Sequence, residues 1–235
     1  MAFQFKQFSV EDQQSTMRVG SDAVLLGAWA DTRNDSHILE IGTGCGVISL
    51  MLAQRSNAFI DALEIDQPSF LQAQQNFEKS SWHERLHPIP LSIQEFTTTC
   101  NEKYDHILTN PPYFRNSLKS PIQSRNHTKH ENLLTFEDLL HCVSQLLSRN
   151  GKVSLILPAK ESIVFTAMAS DLNLFLSRKL EIKPKTNKPV NRILMEFSPN
   201  PCPQVLSEEL SIRNEDNSYT PEYLTFTEPY YFSLK

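Results

Sequence analysis

The stretch His37–Arg55, HILEIGTGCGVISLMLAQR, decides the fold. HILEI is an apolar run of strand length, and GTGCG places Gly42, Gly44 and Gly46 at alternate positions. VISLMLAQR is apolar nearly all round and predicts a buried helix. A strand, a glycine turn and a buried helix form the opening of a parallel βαβ unit. The nearest dinucleotide-binding pattern is G-x-G-x-x-G, which receives a pyrophosphate at the helix N-terminus. Here the spacing is G-x-G-x-G and Glu40 stands just before it. A carboxylate there repels a pyrophosphate and suits a cationic ligand. S-adenosylmethionine is such a ligand, with an ammonium, a sulfonium and no phosphate. The bland alternative is a tight strand-to-helix turn, yet these three glycines are half of the six in the chain.

Downstream, AFIDALEI (Ala58–Ile65) reads as a second strand and PSFLQAQQNFEKS as a helix with Pro68 in its first turn. RLHPIPL is a weaker strand because of its prolines. YDHILT and KVSLILP are further strands. Between them LTFEDLLHCVSQLLSRNG predicts a helix capped by Thr135 and ended by Gly151. The alternation implies an α/β fold, a mostly parallel sheet wrapped by helices on both faces, with ligands beyond the carboxyl ends of the strands. Glu64, about twenty residues past the glycine loop, is placed to accept hydrogen bonds from ribose hydroxyls, with Asp66 in reserve.

A fourth strand end carries Asn110-Pro111-Pro112-Tyr113. An amine conjugated into a base ring, such as N6 of adenine, is a poor nucleophile because its lone pair is delocalised. Two acceptors on its hydrogens localise that pair. The Asn110 side-chain oxygen is one, and the Pro111 carbonyl, held rigid by the two prolines, is the other. Tyr113 can stack on the base. As a plain loop turn, this order of residues has no comparable reason.

The chain has 235 residues, 40% hydrophobic and 21% charged, which predicts one globular domain spanning residues 1–235. No apolar run approaches the ~20 residues a membrane helix needs, and the N-terminus lacks a signal-peptide pattern. The four cysteines are far apart, so reduced thiols, no metal site and a cytoplasmic location are expected. The net charge of −5 argues mildly against a nucleic-acid coat. Two segments are locally basic: Arg115, Lys119, Arg125 and Lys129, and then Arg178 to Arg192 with Lys183, Lys185 and Lys188. They are compatible with a local RNA footprint, or with ordinary solvated charge.

The glycine loop with NPPY resembles the class I S-adenosylmethionine-dependent methyltransferases that modify exocyclic or amide nitrogens. The resemblance implies a Rossmann-like sheet of seven strands whose last strand is antiparallel, and NRILMEFSP (Asn191–Pro199) suits that strand. FQFKQF at Phe3–Phe8, MRVGSD at Met17–Asp22, LLGAWA at Leu25–Ala30, SSWHERL at Ser80–Leu86 and the closing YTPEYLTFTEPYYF resemble the bacterial tRNA1(Val) (adenine(37)-N6)-methyltransferase family. Membership implies methylation of the adenine 3′ to the anticodon of a valine tRNA, by a protein expected to be monomeric, with residues 1–30 covering the site. It implies Asp22 over the cofactor pocket, although Asp22 could equally cap a helix running through Trp29. It implies an RNA-facing loop with Arg125, Lys129 and His130. The family's third-strand acid, which touches the cofactor's adenine, falls where this chain has Ser92, so Ser92 or the Ile93 backbone is expected to serve instead.

Rival readings keep NPPY and change the acceptor to a guanine N2 in rRNA or a protein glutamine. The glutamine enzymes carry a helical N-terminal domain, for which the sequence before Gly42 leaves no room. A binding module that lost catalysis is disfavoured by the intact Asn110, Pro111 and Tyr113. A nicotinamide dehydrogenase is disfavoured by the glycine spacing and the lack of a Tyr-x-x-x-Lys pair.

Overall fold

A computed structural model describes residues 2–111 and 134–232. After a short hairpin, β1 (Phe3–Gln4) and β2 (Ser9–Val10), the chain enters α1 (Ser21–Trp29). It then alternates β3 (His37–Ile41), α2 (Val47–Ala53), β4 (Phe59–Leu63), α3 (Gln67–Glu78), β5 (Leu86–Ile89), α4 (Ile93–Thr99) and β6 (Tyr104–Thr109). Beyond residue 133 come α5 (Phe136–Leu146), β7 (Leu147–Pro158), α6 (Ala159–Asp171), β8 (Phe175–Lys185), β9 (Arg192–Ser198), β10 (Leu206–Arg213) and α7 (Pro221–Thr227).

The sheet order is β10-β8-β9-β7-β6-β3-β4-β5. Every pairing is parallel except those of β9, which runs antiparallel to both β7 and β8. β3 pairs with β4 on one side and β6 on the other, so the strand order reverses there. Such a reversal opens a crevice at the carboxyl ends, where ligands bind in open α/β sheets.

Successive strand residues feed opposite cores. Ile38, Ile60, Leu108 and Ile156 pack with α1, α2 and α3 on one face. Leu39, Ile107, Leu155 and Phe197 pack with α4, α5 and α6 on the other. The strands are buried on both sides, which is why HILEI and YDHILT read as apolar runs rather than alternations. Each fully buried leucine contributes about 1.5–3 kcal/mol.

The antiparallel strand expected in NRILMEFSP is β9. The expected seven strands are joined by an eighth, the edge strand β10. Only Leu210 in LSEELSIR is buried, so the usual apolar alternation is missing from its sequence. The helix expected to reach Gly151 stops at Leu146. Leu147 already pairs with Tyr104, and the register then jumps to His106↔Lys152. At Gly151 a Cβ would come within 2.8 Å of the Tyr104 carbonyl oxygen. That glycine therefore serves a close strand approach, and the helix ends without it.

Candidate active site

At the carboxyl ends of β3, β4 and β6 lies a cavity of about 530 Å³. Its wall brings together Asp22, Glu40, Gly42, Gly44, Glu64, Asp66, Ser92, Ile93 and Asn110. These come from segments more than 80 residues apart in sequence, joined by the switch point between β3 and β6.

The glycine loop is held by its neighbours. The Gly42 and Thr43 amides both donate to the Leu63 carbonyl at 2.9 Å. Gly42 has φ +71 and a Cβ there would project into open space, so the missing side chain keeps the cavity clear. Gly46 sits differently and does not line the cavity. It has φ +83 at the start of α2, and a Cβ would meet the Phe77 ring at 2.5 Å. Its part is to let α3 pack against the loop.

Glu40 is buried beneath the loop. One carboxylate oxygen accepts from Thr43 Oγ1 at 2.7 Å, from the Ser49 amide at 3.0 Å and from the Ser49 hydroxyl. Burial pushes its carboxyl up to about 7, against the pull of the Ser49 and Thr43 donors and with a push from the nearby Glu64 charge. Glu64 accepts from the Gly44 amide at 2.8 Å and from the Asp66 amide at 2.9 Å. Each of its oxygens keeps a further lone pair for a ligand hydroxyl. Asp66 faces the cavity but also caps α3, accepting from the Ser69 amide at 3.0 Å and its hydroxyl at 2.7 Å.

Asp22 is not the cap of α1. Gly20 holds that position without a side-chain bond, and Asp22 lies in the first turn. Its carboxylate instead accepts from Arg192 Nε at 2.9 Å, tying α1 to the start of β9. Ser92 lies beyond the third sheet strand and caps α4. It forms a reciprocal capping box with Glu95, whose carboxylate takes the Ser92 hydroxyl at 2.7 Å. Ser92, Ile93 and Gln94 at the start of α4 line the cavity, and none of the three is an acid.

Asn110 is the first residue past β6. The hydroxyl of Thr109, just before it, donates to the Ile41 carbonyl at 3.0 Å, which fixes this strand end against the glycine loop. Pro111 follows and is buried. Pro112, Tyr113, Arg115, Arg125, Lys129 and His130 lie outside the described residues.

Of the second basic segment, Lys183 and Lys185 occupy the carboxyl end of β8 and Lys188 the exposed turn after it. Lys183 pairs with Glu209 at 2.8 Å. Arg178 is further back, lying over the Trp29 ring at 4.0 Å and pairing with Glu196. Its charge is spent inside the fold.

The wall also holds residues that the sequence reading did not assign. Thr16, Met17 and Arg18 reach the cavity from a strap that runs along α3. The strap amides of Glu11, Gln14 and Thr16 donate to Asn76, Gln72 and Ser69 respectively. Those three buried polar residues at helical spacing on α3 were the available signal. Ile65 is 59% exposed although apolar, and Gln94 adds an amide near Ser92. Nothing in the sequence marked Gln94.

Comparison with known proteins agrees with this geometry. Residues 15–163 match the model of the methyltransferase small domain family. A tRNA1(Val) (adenine(37)-N6)-methyltransferase of Trichodesmium erythraeum is 41% identical over 232 residues, 97% of each chain. Its counterpart in Flavobacterium johnsoniae is 39% identical, over 99% of this chain and 100% of that one. Among solved structures, a "predicted O-methyltransferase" from Agrobacterium tumefaciens superposes with a TM-score of 0.68, at 18% identity over 88% of this chain and 96% of that one, a likeness of fold. Among the described residues no helix is long and apolar enough to cross a membrane. A glycine-loop cavity at the switch point, an Asn-Pro pair at its edge and relatives matched along almost the whole length converge, and the chain belongs to the family of tRNA1(Val) (adenine(37)-N6)-methyltransferases.

Proposed function

We propose that this chain transfers a methyl group from S-adenosylmethionine to N6 of adenine 37 in the anticodon loop of a valine tRNA, in the cytoplasm. The observation that carries the reading is the place of Asn110. It stands on the wall of the cavity that the glycine loop shapes, one residue past the strand neighbouring that loop's own strand. The relatives' activity supplies the acceptor.

The residues present fit the cofactor. Glu40, Glu64, Asp66 and Asp22 outnumber Arg18 and Arg192 on the wall, which suits a ligand bearing an ammonium and a sulfonium. Glu64 suits the ribose hydroxyls, the first turn of α4 at Ser92 and Ile93 the adenine, and the open space at Gly42 the amino-acid end. When bound, S-adenosylmethionine supplies an electrophilic methyl group on sulfur.

The protein's part is to prepare the amine. The Asn110 side-chain oxygen and the Pro111 carbonyl accept the two N6 hydrogens and turn the nitrogen lone pair out of the ring. Pro111 has a fixed φ and, because Pro112 follows it, a restricted ψ, so its carbonyl does not swing away. Alignment of donor and acceptor is worth up to ~7–11 kcal/mol of barrier. No strong base is needed, because the amine hydrogen becomes acidic as nitrogen is alkylated. Tyr113 stacks on the extruded base in this reading. Adenine 37 is unpaired in its loop, so extrusion costs a few kcal/mol at most. Lys183, Lys185 and Lys188 at the same end of the sheet, with Arg115, Arg125, Lys129 and His130, meet the phosphates.

The test is incubation with labelled S-adenosylmethionine and total tRNA from a strain lacking the protein, followed by nucleoside mass spectrometry. N6-methyladenosine at a single tRNA position is expected. N2-methylguanosine, or label in protein, would overturn the acceptor.

A further inference from the structure

A second cavity, of about 430 Å³, shares Gly20 and Ser21 with the first. Its walls are aromatic: Phe3, Tyr219, Tyr223, Tyr231 and Phe232. The two chain termini build it together. The Lys6 amide donates to the Tyr230 carbonyl at 2.8 Å, and Phe5 stacks on Tyr231 at 5.6 Å and 12°. Phe3 packs 5.9 Å from Tyr231. Tyr219 and Tyr223, also on the wall, stack at 5.3 Å and 18°.

Such a pocket would ordinarily be filled by the protein's own side chains. Here Phe3 and Phe232 remain 38% and 68% exposed. Cations stand among the flanking charges. Arg213 lies over Tyr219 at 4.0 Å and donates to its hydroxyl at 2.8 Å. Arg213 ends β10 opposite Lys185, with Lys183 two residues earlier on β8. Several acids of this region are engaged: Glu228 with Lys6, Glu209 with Lys183, and Asp216 with Ser218. Glu208 on β10, Glu215 just after it and Glu222 in the first turn of α7 are exposed acids.

From this juxtaposition we infer that the aromatic cavity is a stacking subsite for a second nucleobase, one that flanks the methylated adenine on the same RNA strand. The inference rests on the RNA-methylating function proposed above. Aromatic faces hold any base, cations beside them track the backbone, and sequence-tolerant stacking of this kind is common in single-strand binders. The shared Gly20–Ser21 wall sets the two cavities side by side, so neighbouring nucleotides of one loop can enter both. A flanking base anchored here would hold the loop open while its neighbour is extruded. It would also give the aromatic-rich termini a reason that lies outside cofactor binding.

Phe3→Ala and Phe232→Ala, singly and together in the full chain, test the subsite because both rings are partly exposed and their loss spares the core. The double variant is expected to weaken binding of the substrate tRNA by on the order of tenfold, about 1.4 kcal/mol, while cofactor affinity by calorimetry stays unchanged. An anticodon stem-loop carrying 2-aminopurine beside the target adenine should lose fluorescence on binding wild type and regain it with the variant. If wild type methylates tRNA and the variant binds and quenches as wild type does, the subsite is wrong and the function stands. If wild type methylates no tRNA, both fall.

Discussion

Two regions of this protein bury titratable groups, at opposite ends of the same strands. At the carboxyl ends, Glu40 sits beneath the glycine loop and is pushed up to about 7. Toward the amino ends, His106 is fully enclosed, with Nδ1 2.8 Å from Asp35 and Nε2 2.8 Å from the Ser154 hydroxyl. Burial pulls His106 below its ordinary value. Burial also acts on Asp35 and would raise it, but His106 and Lys152 outweigh it and hold the carboxylate below the usual range. The sensible arrangement is a neutral imidazole donating from Nδ1 to Asp35 and accepting from Ser154, with Lys152 as the cation at 3.2 Å.

The Ser154, His106 and Asp35 set has the order of a hydrolase triad but no access, since Ser154 and His106 are 0% exposed. Both of its ring nitrogens are satisfied. Glu40 has its three donors crowded on one oxygen and lies on a cavity wall. Desolvation alone does not mark a functional group. Desolvation beside an opening, with bonding capacity left over, does.

The largest expected effect breaks the closed region. His106→Ala opens a cavity, leaves the buried Ser154 hydroxyl without its partner and Asp35 with Lys152 alone, and should cost about 2–5 kcal/mol in urea unfolding. Methyl transfer by the folded fraction should be preserved. In the wild type, His106 folds neutral while the unfolded chain takes up a proton near 6.5, so its contribution to stability is full above that value and declines as pH falls below it. Loss of catalysis without loss of stability would reverse the roles assigned to the two regions.

Next is the open region. Asn110→Ala should lower turnover on tRNA by on the order of 10²–10³-fold, the size seen when one preorganised polar partner of a transition state is removed. Cofactor binding, followed by calorimetry, should persist. Unchanged turnover would remove the acceptor argument.

Glu40→Gln sharpens the contrast through pH. The folded protein binds the Glu40 proton more tightly than the unfolded chain, whose value is near 4.5, so stability falls as pH rises from 4.5 to about 7. The glutamine variant should lack that fall, which thermal melts at about pH 5.5 and about pH 8 would read. A cationic ligand favours the ionised carboxylate, so wild-type cofactor affinity should rise over the same interval. The variant should bind on the order of tenfold more weakly at the upper pH and show no such rise.

The smallest effect belongs to the rim. Lys188→Ala removes an exposed cation that has no role in the core, and should reduce the slope of log affinity for tRNA against log salt by about 1. An unchanged slope would place the footprint elsewhere.

By itself the sequence determined the local pieces whose physics is short-range. HILEI before GTGCG requires a strand, a left-handed glycine turn and a helix, and Asn110-Pro111 after YDHILT requires a stiff polar strand end. Thr135 and Pro68 announced their helix starts because caps and N-terminal prolines act within one turn. Tertiary structure decided what those pieces touch. It set Gly46 against Phe77 rather than the cavity, gave Asp22 to Arg192, turned Ser92 into a helix cap and drew both termini into one aromatic pocket. It also admitted β10, whose single buried residue carries little pattern. Backbone conformation is fixed by neighbours in the chain. Side-chain partners are fixed by which strands lie adjacent, and that is settled only when the whole sheet closes its two cores.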